Sequence, residues 1–269
     1  MSEEGAEFYF ADGLRAALGD SVERWLPAII EQGVVIEERD GAFLLAWPTQ
    51  EHGIIAYIRA AKNAKSNAEF VAAWPFARTG RALDICIRWF DGDHDNPDIV
   101  LAHCAFGDVG FSAFDTFCLA SYYQMSVGLI AVRAYVHGWA VKLELPSTQP
   151  IVLLPDQVSA SVREAFAERF EQDGKVTIET KQMAALLPYR KESTPLHEIR
   201  GVVQAVSEEK EMLSLSFITL IVTVARQDDG TPMDIEITVS SEVWQGEWPK
   251  VGNAVRGLIW LQAIFDEPS

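Results

Sequence analysis

Apolar and polar positions alternate differently along successive parts of the chain. Over residues 8–32 the spacing predicts helix. Trp25, Leu26, Ile29 and Ile30 recur at helical intervals, Asp20 or Ser21 stands where a cap belongs, and Pro27 fits only a first turn. Three short strands are expected over 34–38, 42–46 and 54–59, with Arg39-Asp40-Gly41 as the tight turn between the first two. Residues 67–73 read as a short helix that closes before Trp74-Pro75.

From Ala82 the pattern becomes one of long strands. Residues 83–90 and 99–106 flank the polar run Asp91 to Asp98, which predicts a hairpin with an extended loop, and 109–115 continues it. Residues 128–145 are rich in Val, Ala, Tyr and Trp, and Pro146, Pro150 and Pro155 mark a linker. A helix is expected over 156–173, with Val158, Val162, Ala165, Phe166, Arg169 and Phe170 on one face and Asp173-Gly174 as its stop. A short strand and the stretch 182–187, ending at Pro188, follow it. Strands return over 199–206, 213–225, 233–239 and 255–264, with Asp228-Asp229-Gly230 as a turn between the middle pair. The expected fold class is α+β and β-rich. Residues 1–150 form a unit with a helical start and a barrel-like half, 151–195 a helical connector, and 196–269 a second β-barrel unit.

Two stretches look alike. Tyr122-Tyr123-Gln124-Met125-Ser126-Val127-Gly128 leads to Ala131-Val132-Arg133-Ala134, and Trp248-Pro249-Lys250-Val251-Gly252 leads to Ala254-Val255-Arg256-Gly257. Glycine permits positive φ at the turn, and a small residue after the arginine lets a barrel strand bend. The strings are short enough for chance to produce the match. The second string resembles the closing strands of oligonucleotide/oligosaccharide-binding (OB) barrels, a resemblance that covers 196–265 and, more faintly, 83–145. Separately, Phe114-Asp115-Thr116 followed by Tyr-x-x-x-x-Gly is similar to a family of uncharacterised bacterial proteins, and brings no activity with it.

Charge changes what such a barrel is expected to bind. Asp and Glu number 39 against 22 Lys and Arg, a formal net charge of −17. Nucleic-acid binding rests on cations that displace counterions from phosphates, so a nucleic-acid partner is disfavoured. The densest cationic stretches, 59–65 and 181–191, are not basic arms. Residues 197–269 carry five Lys and Arg against twelve Asp and Glu. There Trp244, Trp248 and Trp260 are expected to pack the core or cap the barrel rather than stack bases. The N-terminus shows no basic and apolar leader, and the longest apolar runs are interrupted by Arg133, Arg226 or Arg256. A cytoplasmic protein with no membrane contact is the expectation.

Candidate chemistry is sparse. In Asp91-Gly92-Asp93-His94-Asp95-Asn96-Pro97-Asp98 the alternating carboxylates Asp91, Asp93 and Asp95 are candidate metal ligands. Pro97 and Ala102 break the calcium-loop pattern, and the flanking strands favour a solvated hairpin loop. Cys86, Cys104 and Cys118 follow no zinc spacing. His103 and Cys104 point to opposite faces of a strand, and a symmetric hairpin would set Cys86 nearly opposite one of them. Asp115, His137 and the scattered serines form no recognisable catalytic set. Tyr122, Tyr123, Tyr135 and Trp139 read as an aromatic barrel core. No nucleophile elbow, phosphate loop, dinucleotide fingerprint or zinc helix is present, and no cofactor is expected. The sequence points to a non-enzymatic interaction protein whose acidic surface engages another protein. A metal-assisted enzyme using the 91–98 loop and an OB-type binder of oligonucleotide or saccharide are the alternatives.

Overall fold

The computed structural model describes residues 25–39, 41–60, 68–92, 100–117, 130–146, 150–178, 180–189, 194–212 and 214–266. The expected helical start therefore enters only as α1 (Leu26–Gln32), with Pro27 in its first turn. A four-stranded antiparallel sheet follows in simple order: β1 (Val34–Arg39), β2 (Ala42–Pro48), β3 (His52–Arg59) and β4 (Glu69–Ala77). The helix expected over 67–73 is instead the start of β4. Glu69, Ala72 and Ala73 favour helix locally, but Ala73, Trp74 and Phe76 are needed as the buried wall of this sheet, and packing overrides propensity.

Nearly all remaining strands belong to one large sheet, which closes on itself twice. The first circuit runs β5 (Arg81–Gly92), β6 (Val100–Phe106), β7 (Val109–Asp115), β16 (Ala254–Phe265), β8 (Ile130–Glu144) and back to β5. The second runs β12 (Leu196–Val206), β14 (Leu215–Arg226), β15 (Pro232–Ser240), β8, β16 and back to β12. Each circuit contains one parallel contact, β7 with β16 in the first and β15 with β8 in the second. The antiparallel β8–β16 ladder is common to both. Short β11 (Ala185–Pro188) and β13 (Lys210–Met212) extend β12 and β14. Between the halves, β9 (Ile151–Leu153) and β10 (Val176–Ile178) form a ribbon around α2 (Ala160–Ala165) and α3 (Ala167–Asp173). The single helix expected over 156–173 is thus two short ones, broken at Phe166, and Gly174 ends the second at φ 65°.

The registers repeat between circuits. With β5, β6, β7 and β8 matched to β12, β14, β15 and β16, each strand at its own offset, Arg133 falls on Arg256 and the parallel contact of Trp139 with Thr238 corresponds to that of Gln262 with Phe114. The pair Leu83–Ala134 falls on Ile199–Gly257. Leu101–Phe114 and Thr219–Thr238 then correspond, and even the bulges coincide, between Ile87 and Trp89 in one unit and between Val203 and Ala205 in the other. The strings alike at 131–134 and 254–257 stand at corresponding positions of a repeated four-strand arrangement.

One core fills both circuits, with Ile85, Val132, Ala134 and Val136 from the first half and Val222, Ile235, Val255 and Ile259 from the second. Burial alternates along β8 as far as Val136, then becomes continuous through Ala140. The later residues are covered on both faces, because the β1–β4 sheet packs there. Its Trp74 meets Phe114 edge-on at 5.0 Å, and Phe114 lies 5.4 Å from Trp260. Trp139 belongs to this second cluster, outside the barrel, so the expected aromatic barrel core is corrected to an aromatic seam between sheets. Tyr122 and Tyr123 lie outside the described residues. No described helix is long and apolar enough to cross a membrane.

Candidate functional site

The sequence-derived candidates scatter. Asp91 lies exposed near the end of β5, whereas Asp93 and Asp95 lie outside the described residues. Among the described residues no three His, Cys, Asp or Glu side chains gather as a metal centre would require. Cys86 stands opposite Ala105, not His103 or Cys104, because the two strands pair Gly92 with Val100, a register offset from the symmetric one. Cys104 faces the core, where burial and then Asp115 push its thiol well above the usual range. Asp115 is buried and accepts a hydrogen bond from the Phe117 N–H at 3.3 Å.

Two constellations that local motifs did not reveal come from cross-strand register. The first lies on the outer face of β5, β6 and β7, where Trp89, His103 and Ser112 are successive register partners. The Trp89 indole stacks on the His103 imidazole with centroids 4.4 Å apart and planes 19° apart, yet is itself 54% exposed. Ser112 Oγ lies 2.9 Å from His103 Nδ1. Burial lowers the pKa of His103, opposed by Asp91, so the ring is neutral near pH 7. Its Nε2 is buried without a hydrogen-bond partner among the described residues. A serine–histidine contact is present, but no carboxylate meets Nε2 to fix the tautomer, as a catalytic triad requires. On the other side, the Ser112 N–H donates to His197 Nε2 at 3.3 Å, and His197 Nδ1–H donates to the Pro195 carbonyl at 3.1 Å. His197 fills the fork where β7 and β12 leave the same edge of β16. Burial lowers its pKa to about 4, partly offset by the Pro195 carbonyl.

The second constellation sits beneath the β1–β4 sheet, on the shared ladder. Gln262 donates to the Ala77 carbonyl at 2.9 Å and accepts from Trp139 Nε1 at 3.4 Å. His137, its register partner, contacts Thr238 Oγ1 at 2.9 Å, and Glu236 Oε2 lies 3.9 Å from its Nδ1. Burial pushes the His137 pKa down to about 3, although the Thr79 carbonyl pulls the other way. Trp74 Nε1 donates to the Thr116 carbonyl, and Thr116 Oγ1 donates to the Ala263 carbonyl. These bonds pair buried polar groups across a packing seam, which is structural work. The register pairs could be found from sequence only once the bulge positions were known.

No protein-family model matches the chain, and neither a curated protein nor a solved structure matches it.

Proposed function

We infer that each circuit is a barrel of the OB type, and that the molecule is a non-enzymatic interaction protein whose acidic surface engages a cationic segment of another protein. One observation carries this reading: the face of the second unit that such barrels use for ligands bears carboxylates and no stacking ring. In that class, the second and third strands and the loop between the first two hold the ligand. Here the strands are β14 and β15, whose outer face carries Thr219, Ile221, Thr223, Asp234, Glu236 and Thr238. The β12–β14 connection adds exposed Glu208, Glu209 and Glu211, with Lys210 among them. The Ser241 N–H donates to the Ser216 carbonyl, which brings exposed Glu242 to the same end.

Three of the five cations of this unit are turned to other tasks. Arg256 pairs with Glu144 at 2.8 Å, Lys250 with Glu247 at 3.4 Å, and Arg200 donates to the Thr180 carbonyl. Trp244 and Trp260 are buried, and Trp248 is packed against the core. A polyanion gains little from such a face, whereas a Lys/Arg-rich segment is attracted from a distance in a salt-dependent way.

Capture from lysate at low and high salt, with the partner identified and then purified, tests the reading. A partner that binds at low salt, releases at high salt and is lost by the Glu208→Gln, Glu209→Gln, Glu211→Gln variant is expected. Absence of any salt-sensitive partner, or unchanged capture by that variant, would overturn it.

A further inference from the structure

The repeated unit contains its own comparison. At corresponding positions, the outer face of the first unit carries Trp89–His103–Ser112 and that of the second carries Ala205–Ile221–Glu236. The row beside it reads Cys86–Ala105–Gly110 in the first unit and Val202–Thr223–Asp234 in the second. The fold therefore closes without an aromatic shelf, and the first unit is trimmed to small residues right beside one.

The bulges differ in the same sense. A bulge turns two consecutive residues to one face. In the second unit, Gln204 is also exposed, but its side chain is hydrogen-bonded along the sheet. It donates to Thr223 Oγ1 at 2.9 Å and to the Val202 carbonyl at 3.3 Å, and Thr223 donates to Asp234 at 2.6 Å. In the first unit, Arg88 and Trp89 are both exposed. Arg88 has no ion-pair partner among the described residues, although carboxylates outnumber cations across the chain. Its Nη1 reaches toward Gly110, where an added methyl would meet, among the described residues, that atom alone, at 3.9 Å. Asp91, exposed and two residues beyond Trp89, completes the surround.

We propose that this outer face of β5, β6 and β7 is a saccharide-binding site, separate from the acidic face of the second unit and independent of its partner. The open face of the Trp89 indole stacks on the C–H face of a pyranose ring, backed by neutral His103. Arg88 donates to ring hydroxyls and Asp91 accepts from them. A neutral sugar needs both a donor and an acceptor at its edge and is indifferent to the net charge. A phosphate-bearing strand would find Arg88 but would also meet Asp91 and the field of −17 charges.

Calorimetric titration of the full chain with maltohexaose, cellohexaose, chitohexaose and, as a contrasting polyanion, a thymidine oligonucleotide tests this. Binding of at least one hexasaccharide is expected, with affinity reduced about tenfold by Trp89→Ala and less by Trp89→Phe. Ile221→Ala on the second unit should leave it unchanged. Should Trp89→Ala fail to melt cooperatively, Arg88→Ala carries the same expectation of weakened binding, at an exposed side chain. Failure of all three sugars to bind at millimolar concentration, unchanged affinity in both the Trp89 and Arg88 variants, or binding of the oligonucleotide alone would each overturn the proposal.

Discussion

Gly138 of β8 and Leu261 of β16 are register partners, and each is the other's counterpart in the repeated unit. The pairs on either side change places about them: Trp139 with Trp260 on one side, His137 with Gln262 on the other. Each unit thus contributes its last strand to its own circuit and to its neighbour's.

Neither half should fold alone. Residues 1–150 lack β16, and residues 151–269 lack β8, so each isolated piece would expose an open barrel edge. Separately produced halves are expected to show no cooperative thermal transition by circular dichroism, and mixing them should restore one. A cooperative transition in the isolated second half would contradict this.

Gly257 works through space rather than through bending. A methyl there would run into the Lys142 carbonyl oxygen across the shared ladder. Gly257→Ala should cost about 2–4 kcal/mol in urea unfolding. Gly138→Ala should cost less, because its nearest neighbours are the flexible ends of Ile259, Ile237 and Leu261. A reversed order would refute the close approach.

Acid should weaken the fold through two histidines. Burial holds His197 at about 4 and His137 at about 3, both below the ordinary 6.5. Between 6.5 and those values the unfolded chain takes up protons that the folded chain refuses. Their stabilisation is therefore complete above pH 6.5 and is lost progressively below it, by up to about 1.4 kcal/mol per pH unit for each group. Urea unfolding at about pH 7.5 and about pH 5.5 should show this loss, and His197→Gln should reduce it. An identical loss in the variant would remove His197 from the account.

The seam between the sheets depends on Gln262. Gln262→Ala leaves Trp139 Nε1 and the Ala77 carbonyl without their partner, at a cost of about 2–4 kcal/mol. Hydrogen exchange should quicken along β4. Unchanged exchange at Phe76 and Ala77 would show that the seam is held by its aromatic residues alone.

Much of the strand pattern was legible in the sequence. Alternation along 109–115 and 233–239 corresponds to β7 and β15, and the Asp228-Asp229-Gly230 turn to the connection from β14 to β15. Gly252 takes the positive φ, 84°, expected of its turn. What stayed hidden was long-range. The parallel contacts Trp139–Thr238 and Phe114–Gln262 join residues far apart in the chain, and no local spacing announces them. Ala72 and Ala73 disguised β4 as helix, and the burial of Trp139 on the outer side of its strand followed from a second sheet lying over it. The Trp89–His103–Ser112 row depended on the bulge after Ile87, without which the register of Cys86 with Ala105 would have set Trp89 opposite Ala102.

The common ladder also constrains how such a chain diversifies. Its inward residues sit in the one core that closes both circuits, so β8 and β16 are the least free to vary. The outward rows of β5–β7 and β12–β15 answer to neither interior. Novelty is therefore channelled to those rows, and one unit could acquire an aromatic shelf while the other gathered carboxylates, without either disturbing the other's closure.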